Sequence, residues 1–382
     1  MTIIRSAASV TRALDKCLLE VAVIVYLLVF WCGIAPALGA SLPGVYALSD
    51  QDASTALAVL ANPNVDGLAL RYSWNQLEPR EGGFNWSPID VQVAAARAHG
   101  KKVSLGVTAG IRTPAWIYAA GANQFSFVWD KPWGPPICSS QRIPIPWDPV
   151  YLAKWDSFVR ALGARYANNP TVVYVKITGV NATTQEAILP HSRGMTISRV
   201  GASCTSSDDV GRWQAVGYSR NRVEQAWKHI ANSFAGSFPD TKLGLMIGPV
   251  GFPPIDDNGS IIANRGADRE VALNLIAEGI KSYGQRFVVQ NNGLSAVRSW
   301  PELSGLSHRT IVGWQMAWSA TDNATCKMNG GVAPCNPHDV LQAAIARGVE
   351  SGAVFLEIYT LDILNPNLQD IIASAHSRLL SR

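Results

Sequence analysis

Two glutamates are the residues best placed to do acid–base chemistry. Glu186 lies in the segment GVNATTQE (179–186), directly after a β-rich run, and Glu357 lies inside the apolar run AVFLEIY (353–359). One carboxyl group of a pair can protonate a leaving oxygen while the other attacks the substrate or activates water, which is the chemistry of glycoside cleavage. We therefore take Glu186 and Glu357 as the candidate catalytic residues.

Each glutamate also has a plainer interpretation. Glu186 could be a solvated loop residue. Glu357 could belong to a structural ion pair, because a charge within an apolar strand needs a partner, and Arg71 is the candidate partner. The two roles of Glu357 are compatible, since burial also tunes the pKa of catalytic groups.

Polar and aromatic side chains cluster where other β-rich runs end. The chain has 13 Trp, more than its 10 Tyr or 10 Phe. Flat aromatic rings suit sugar stacking, although any one Trp could equally be a packing residue. Amide and guanidinium groups can orient a sugar and the carboxylates. The candidate substrate-binding residues are Arg71, Trp74, Trp116, Asn181, Asn291, Gln315, Trp318 and Tyr359.

Other kinds of chemistry find less support in the sequence. It contains neither a G-x-S-x-G nor an H-E-x-x-H motif, and its six His are scattered. We therefore expect no metal and no cofactor. The net charge of +4 is small, which disfavours a nucleic acid partner. With 48% apolar and 16% charged residues, the chain is not intrinsically disordered.

Eight short β-rich runs alternate with helical segments from residue 44 onward. This alternation over one long domain predicts a (β/α)₈ TIM barrel. A doubly wound open sheet is the rival, but the first run lacks the glycine-rich turn that such folds use. The predicted strands are 44–48, 66–73, 102–108, 172–178, 242–248, 286–290, 310–316 and 353–359. The predicted helices are 53–60, 89–99, 152–166, 220–234, 270–283 and 340–348.

The connections between these elements are unequal in length. Helix-to-strand connections are short, whereas the strand-to-helix connections 109–150, 179–212, 249–268 and 318–337 are long. In a barrel the long connections all lie at the end where the strands finish, which we call the mouth. Enzymes of this fold place their sites there.

The first 40 residues differ from the rest of the chain. A positively charged start precedes the apolar run 21–34, and small residues follow it, which is typical of a secretory signal peptide. A retained membrane anchor is the alternative. We expect residues 1–40 to be a signal peptide or anchor and 41–382 to form a monomeric barrel outside the cytoplasm. Any membrane contact would then be made through the amino-terminal segment, if it is not cleaved.

Four cysteines remain beyond that segment. An even number in an exported chain predicts disulfides, with Cys326–Cys335 closing a short loop and Cys138–Cys204 as the other pair. A zinc site is the alternative, but no C-x-x-C spacing supports it. All four cysteines lie in the long mouth loops, where disulfides would brace a pocket.

The stretches LRYSWNQLEPREGGFNWSPID (70–90) and AHGKKVSLGVTAGIRTPAWI (98–117) resemble the retaining (β/α)₈ glycoside hydrolases, most nearly the family 42 β-galactosidases. The shared pattern is a strand that ends in Arg and an aromatic-Trp pair, then L-E-P, a glycine turn and an Asp-headed helix. The resemblance implies hydrolysis of O-glycosidic bonds in an oligo- or polysaccharide. It also implies that Arg71 orients the nucleophile.

The sequence departs from that family at both catalytic positions. The resemblance implies an Asn-Glu pair at the end of strand four, but Thr178-Gly179 stands there and Glu186 comes later. At the end of strand seven it implies a nucleophilic Glu, but the residue is Gln315, which cannot act as a carboxylate. A carbohydrate-binding barrel without catalysis is therefore the alternative function. Other chemistry on the same fold is a third possibility.

Overall fold

The computed structural model describes residues 42–49, 53–131, 134–199, 201–248, 251–322, 326–333 and 335–381. Eight parallel strands close into a barrel in the order β1-β8-β7-β6-β5-β4-β3-β2. They are β1 (Gly44–Ser49), β2 (Gly67–Ser73), β3 (Lys102–Thr108), β4 (Val172–Ile177), β5 (Lys242–Ile247), β6 (Phe287–Leu294), β7 (Ile311–Met316) and β8 (Phe355–Tyr359). Each strand pairs with its neighbours in sequence and β8 pairs with β1, so the predicted TIM barrel is confirmed.

A helix follows each strand on the outside of the barrel. These helices are α1 (Ala53–Leu60), α2 (Ser87–Ala98), α3 (Pro149–Tyr166), α4 (Arg220–Ser237), α5 (Glu270–Tyr283), α6 (Pro301–Ser304), α7 (Pro337–Glu350) and α8 (Gln369–Leu380). Among the described residues, further short helices lie in the loops at Trp74–Leu77, Ala115–Ala119, Asp209–Ala215 and Thr360–Leu364. Short 3₁₀ turns are found at Gly110–Arg112, Gly284–Arg286, Lys327–Asn329 and Pro366–Leu368.

Two of the helices, α6 and α8, have no counterpart among the six that the sequence predicts. After β6 there is only the four-residue helix α6, which begins at Pro301 and ends before Gly305. Proline lacks an N–H donor and glycine disfavours a helix interior, so this segment does not build a longer helix. The helix α8, which was not predicted either, packs against β1 and places Leu379 in the core.

The barrel interior is filled by rings that lie against glycines. A Cβ atom added to Gly244 of β5 would lie 2.0 Å from the Tyr174 ring, and one added to Gly313 of β7 would lie 2.0 Å from the Phe355 ring. The Tyr174 and Phe355 ring centroids are 5.7 Å apart. Glycine on one strand thus makes room for a large ring from another, which is how a closed barrel fills its core.

Two antiparallel hairpins and two disulfides shape the mouth loops. The first hairpin pairs Gln124–Val128 with Ser140–Pro144 after β3, and the second pairs Thr196–Arg199 with Ala202–Thr205 after β4. Cys138 is bonded to Cys204, which ties the loop after β3 to the loop after β4, and Cys326 is bonded to Cys335 after β7. Both predicted cysteine pairs are therefore disulfide-bonded.

The predicted signal peptide or anchor, residues 1–40, lies outside the described residues. Within the described ranges, no helix combines the length and the apolar character needed to cross a bilayer.

Candidate functional site

A buried ion pair crosses the barrel interior. The ammonium group of Lys176 on β4 lies 2.7 Å from Oε1 and 3.0 Å from Oε2 of Glu357 on β8, and neither side chain is exposed. Gln290 on β6 donates its amide N–H to Glu357 Oε2 at 2.8 Å, and Ser104 on β3 donates to Oε1 at 3.3 Å. Four strands thus meet at one carboxylate, and both of its oxygens accept hydrogen bonds.

The pKa of Lys176 depends on Glu357 and on charged residues nearer the mouth. Burial lowers the pKa of Lys176, and the negative charge of Glu357 opposes that shift. Arg71 lowers the pKa further by repulsion, and Glu186 raises it by attraction. Arg71 and Glu186 therefore both lie within electrostatic reach of Lys176. The sequence predicts Arg71 as the partner of Glu357, and the structure shows Lys176 as the buried ion-pair partner of this carboxylate.

The loop that bears Glu186 is fixed by its own hydrogen bonds. Asn181 accepts from the Gly179 N–H at 2.8 Å and donates to the Thr184 carbonyl at 2.8 Å. The Ala187 N–H donates to the carbonyl of Met246 on β5 at 2.9 Å. The Asn181 amide is thus engaged within the loop at both ends. These bonds hold the loop that carries Glu186, and a sugar-binding role for Asn181 stays a prediction.

Glu186 has one oxygen held and the other available. Asn292 at the end of β6 donates its amide N–H to Glu186 Oε1 at 2.9 Å. Oε2 is buried and has no hydrogen-bond partner among the described residues. A buried carboxylate oxygen without a partner is costly, so it marks a site where a ligand or water is expected.

Gln185 reaches down from the same loop into the barrel. A Cβ atom added to Gly106 of β3 would lie 2.1 Å from Gln185 Nε2, so this glycine makes room for the amide. Gln185 is 4% exposed, and neither atom of its amide has a partner within the described part of the chain. Gln185 and Glu186 together present unsatisfied polar groups at the carboxyl end of the barrel.

The remaining polar candidates lie at the ends of their strands. Gln315 on β7 is the register partner of Glu357, and it is buried at 6% exposure. Asn291 on β6 is also buried, whereas Arg71 on β2 and Tyr359 at the end of β8 are partly exposed. The barrel thus brings these residues to one end. Asn291 lies between Gln290 and Asn292, whose side chains face the interior, so its own side chain points to the outer side of the sheet.

The three predicted Trp platforms have different surroundings. The Trp74 ring is fully buried, lies 4.7 Å from the Trp155 ring and donates to Glu78 at 2.8 Å. A sugar cannot stack on a ring without an exposed face, so Trp74 is a packing residue in this structure. Trp116 and Trp318 are partly exposed. The Lys327 ammonium lies 3.6 Å from the Trp318 ring centroid, so a cation already occupies one face of that ring.

Cavities of ligand size surround the mouth. One of about 520 Å³ has polar walls that include Asn75, Thr113 and Arg142, and it lies beside the loops after β2 and β3. Another, of about 360 Å³, is mostly apolar and is bordered by Thr183 and Ile188, which flank Glu186 in sequence. A larger cavity of about 650 Å³ lies between α3 and α4 on the outside of the barrel, away from these groups.

No group of three or more His, Cys, Asp or Glu residues in the described ranges is arranged to hold a metal ion.

The sequence analysis missed residues that organise the interior. It did not select Lys176, although this lysine lies in the apolar run VVYVKI just as Glu357 lies in FLEIY. Two lone, oppositely charged residues in apolar strands can be matched as partners, because neither can be buried alone. Asn292 gave no comparable signal, since its contact with Glu186 depends on the path of a loop.

A protein family model is similar in sequence to the amino-terminal part of this chain. Residues 49–186 match the family model of glycoside hydrolase family 42, beta-galactosidase. This confirms the resemblance noted in the strands β2 and β3. The similarity to this glycoside hydrolase family covers 138 of the 382 residues, which is less than half of the chain. The match ends at Glu186, so β5–β8, with Gln315 and Glu357, lie beyond it. No curated protein sequence matches the chain.

Solved structures share its fold at low sequence identity. The catalytic domain of beta-amylase from Paenibacillus polymyxa superimposes with a TM-score of 0.53 at 9% identity, covering 88% of this chain and 98% of that one. Xylanase B from Clostridium stercorarium F9 has a TM-score of 0.44 at 16% identity, covering 87% and 84%. At such identities the beta-amylase likeness shows the barrel fold and nothing about the substrate.

Proposed function

We propose that this chain is an exported glycosidase that hydrolyses O-glycosidic bonds of an oligo- or polysaccharide at the mouth of its barrel, with Glu186 as the proton donor. The observation behind this proposal is the state of the Glu186 carboxyl group. Asn292 fixes one oxygen, while the other is buried without a partner in the described ranges. A fixed carboxyl group with one available oxygen is suited to protonate a leaving oxygen.

The family 42 match supports the choice of glycosidic bonds as the substrate class, and the two disulfides support export, since disulfides persist in oxidising compartments. The polar cavity beside Asn75 and Arg142 is a candidate place for sugar units, with Trp116 nearby in sequence. The protein would act as a monomer and need no cofactor.

Glu357 has a different role in this proposal than the one that the sequence suggested. A nucleophile or base must reach the anomeric carbon or its water, yet Glu357 is unexposed and accepts from Lys176, Gln290 and Ser104. We therefore propose that Glu357 stabilises the barrel interior. Water would then attack the anomeric carbon once Glu186 has protonated the leaving oxygen, and the proton that this water loses returns to the Glu186 carboxylate. A two-carboxylate mechanism would instead require the interior to open.

A carbohydrate-binding barrel without catalysis is the second candidate. It is favoured by the enclosure of Glu357 together with Gln315, an amide, at the strand-seven position. Glycosidases generally need a second carboxylate. This candidate predicts sugar binding without turnover.

Release of reducing sugar from a panel of glycans would separate these functions. The wild type, Glu186→Gln, Glu357→Gln and the exposed control Glu350→Gln would be compared, with sugar binding followed by Trp fluorescence. We expect Glu186→Gln to lose turnover while it keeps its fold and its sugar binding, and Glu350→Gln to match the wild type. Full turnover in Glu186→Gln would eliminate the assignment. A wild type that binds sugars but cleaves none is a binding barrel.

A folded Glu357→Gln variant that also loses turnover would instead restore the two-carboxylate mechanism. Folding is measured on the same samples by circular dichroism. Under the proposal, Glu357→Gln keeps its turnover per folded molecule and loses stability.

A further inference from the structure

A third mouth cavity, of about 360 Å³, lies between the loops after β5 and β6. It is lined by Arg269 at the start of α5, by Asn291 of β6, and by Arg298, Ser299, Trp300, Pro301 and Glu302 before and within α6. Its size is within the range of small-ligand sites. Neither the family resemblance nor the proposed proton donor assigns it a role.

Asn291 has an unused donor in this cavity wall. Its side chain is 2% exposed, and Oδ1 accepts from the Gly293 N–H at 2.9 Å. That bond fixes which way the amide points, and Nδ2 is left buried without a partner among the described residues. A buried N–H group with no acceptor is rare, so an acceptor on a ligand is the expected complement.

The two arginines of the cavity are not engaged in ion pairs within the described ranges. The acidic neighbours of Arg269 in sequence, Asp268 and Glu270, both pair with Arg220, at 2.6 and 2.9 Å. These acids therefore do not compete for Arg269. Two guanidinium groups and an amide N–H form a donor set that matches a carboxylate, which accepts in a bidentate manner.

The presence of Glu302 disfavours a simple anion as the ligand of this cavity. Glu302 also lines the cavity, and its negative charge would repel a bare anion, although a carboxylate can accept hydrogen bonds from hydroxyl groups. A ligand with one carboxylate and several hydroxyl groups can pair its carboxylate with the arginines and its hydroxyl groups with Glu302. Trp300 adds a largely buried ring to the same wall.

We propose that this cavity binds an acidic sugar, a uronic acid unit of a glycan, with its carboxylate on Arg269, Arg298 and Asn291 Nδ2 and its hydroxyl groups toward Glu302. The inference rests on the proposed carbohydrate function and adds a substrate class, namely anionic polysaccharides.

Calorimetric titration of the full chain at low salt tests this assignment. The probes are glucuronate, galacturonate and mannuronate, with glucose as the neutral sugar and acetate as the simple carboxylate. We expect at least one uronate to bind tenfold or more tightly than glucose and than acetate. The preference over glucose should weaken as salt is raised, because the site is partly exposed.

Variants assign the binding to this cavity. We expect Arg269→Gln and Arg298→Gln each to weaken uronate binding about tenfold or more, since each removes one charged donor pair. Asn291→Asp keeps the acceptor for Gly293 and replaces the free N–H with an oxygen, so it should weaken binding as well. Arg378→Gln, on the exposed side of α8, is the matched control and should bind like the wild type.

Three outcomes would overturn the inference: no uronate binds more tightly than glucose, acetate binds as well as the uronates, or both arginine variants bind like the wild type. Failure of the proposed function looks different, because then no glycan, neutral or acidic, is cleaved, even where sugars bind. If neutral glycans are cleaved in a Glu186-dependent manner while uronates show no preference, only the acidic-sugar inference fails.

Discussion

Lys176 and Glu357 form an ion pair from opposite sides of the barrel, with 2.7 Å between their nearest atoms and no exposure of either side chain. Gln290 and Ser104 complete the hydrogen bonding of the carboxylate. The pair therefore connects four strands through one group. Such a pair contributes little net stability relative to apolar residues, but each member depends on the other.

Glu357→Gln should destabilise the protein by about 3–5 kcal/mol, because it leaves the Lys176 ammonium buried without a counter-charge. The variant also loses the charge that raises the pKa of Lys176, so this pKa falls further below its ordinary value. The unfolded chain then binds a proton that the folded chain has released. The stability of the variant should consequently rise with pH through that interval. Urea unfolding at a series of pH values measures both effects.

The double variant Lys176→Met/Glu357→Leu is the control for this experiment. It removes both charges and keeps an apolar interior, so it should cost less than the sum of Lys176→Met and Glu357→Leu. A surface substitution changes the free energy of unfolding by no more than about 0.5 kcal/mol. If Glu357→Gln has an equally small effect, the ion pair does not have the role described.

The barrel was predictable because its signals are local. Each strand is a short apolar run, and a run such as VVYVKI in β4, with all six residues buried, can be recognised without knowing its neighbours. No helix was predicted after β6, and the helix that forms there has four residues, because Pro301 begins it and Gly305 follows its end. The disulfide pairs followed from number and spacing alone.

The site was only partly predictable, since its contacts depend on loop geometry. The position of Glu186 near the mouth follows from its place after β4, but its hydrogen bond to Asn292 joins residues 106 positions apart. The burial of Trp74 is equally a tertiary effect, because Trp155 and Tyr151 of α3 cover its ring. A strand-end position therefore indicates proximity to the mouth, without indicating exposure.

Gly106→Ala should disturb the candidate site directly. The added methyl group would lie 2.1 Å from Gln185 Nε2, so the Gln185 side chain must shift, and Glu186 follows it in sequence. We expect turnover, or sugar affinity if the barrel only binds, to fall about tenfold, with a loss of about 1–3 kcal/mol in unfolding free energy. Enzyme assays and urea unfolding measure the two effects.

Gly236→Ala in α4 is the matched control, because nothing lies within 4 Å of the position of its added Cβ atom. Alanine is the better helix former, so this variant should be equally stable or more stable, by up to about 1 kcal/mol. Equal behaviour of the two alanine variants would show that Gln185 does not need the space above Gly106.

The two disulfides should differ in their contribution to stability. Cys138–Cys204 closes a sequence separation of 66 residues, and Cys326–Cys335 closes one of 9. The loss of chain entropy in the unfolded state predicts about 4 kcal/mol for the first and about 3 kcal/mol for the second. The paired change Cys138→Ser/Cys204→Ser should therefore lower the midpoint of denaturation more than Cys326→Ser/Cys335→Ser. The reverse order would mean that the Cys326–Cys335 disulfide contributes more to stability than the Cys138–Cys204 disulfide.

Asp209 should make stability depend on pH in the weakly acidic range. Burial raises the pKa of its carboxyl group from 3.8 to about 6, although Ser207 and the Ser192 N–H donate to it. Between these two values the folded protein holds a proton that the unfolded chain has released. Stability should therefore fall as the pH rises from about 4 to 6.

Asp209→Asn removes this titration and keeps an acceptor for Ser192, so it should flatten the decline in melting temperature between pH 4 and pH 6. Asp208→Asn is the matched control, because Asp208 caps the Asp209–Ala215 helix by accepting from Gly211 and asparagine caps equally well. In this control the melting temperature should decline with pH as steeply as in the wild type. Thermal unfolding at half-unit pH steps measures it, and an unchanged slope in Asp209→Asn would assign the pH dependence to another group.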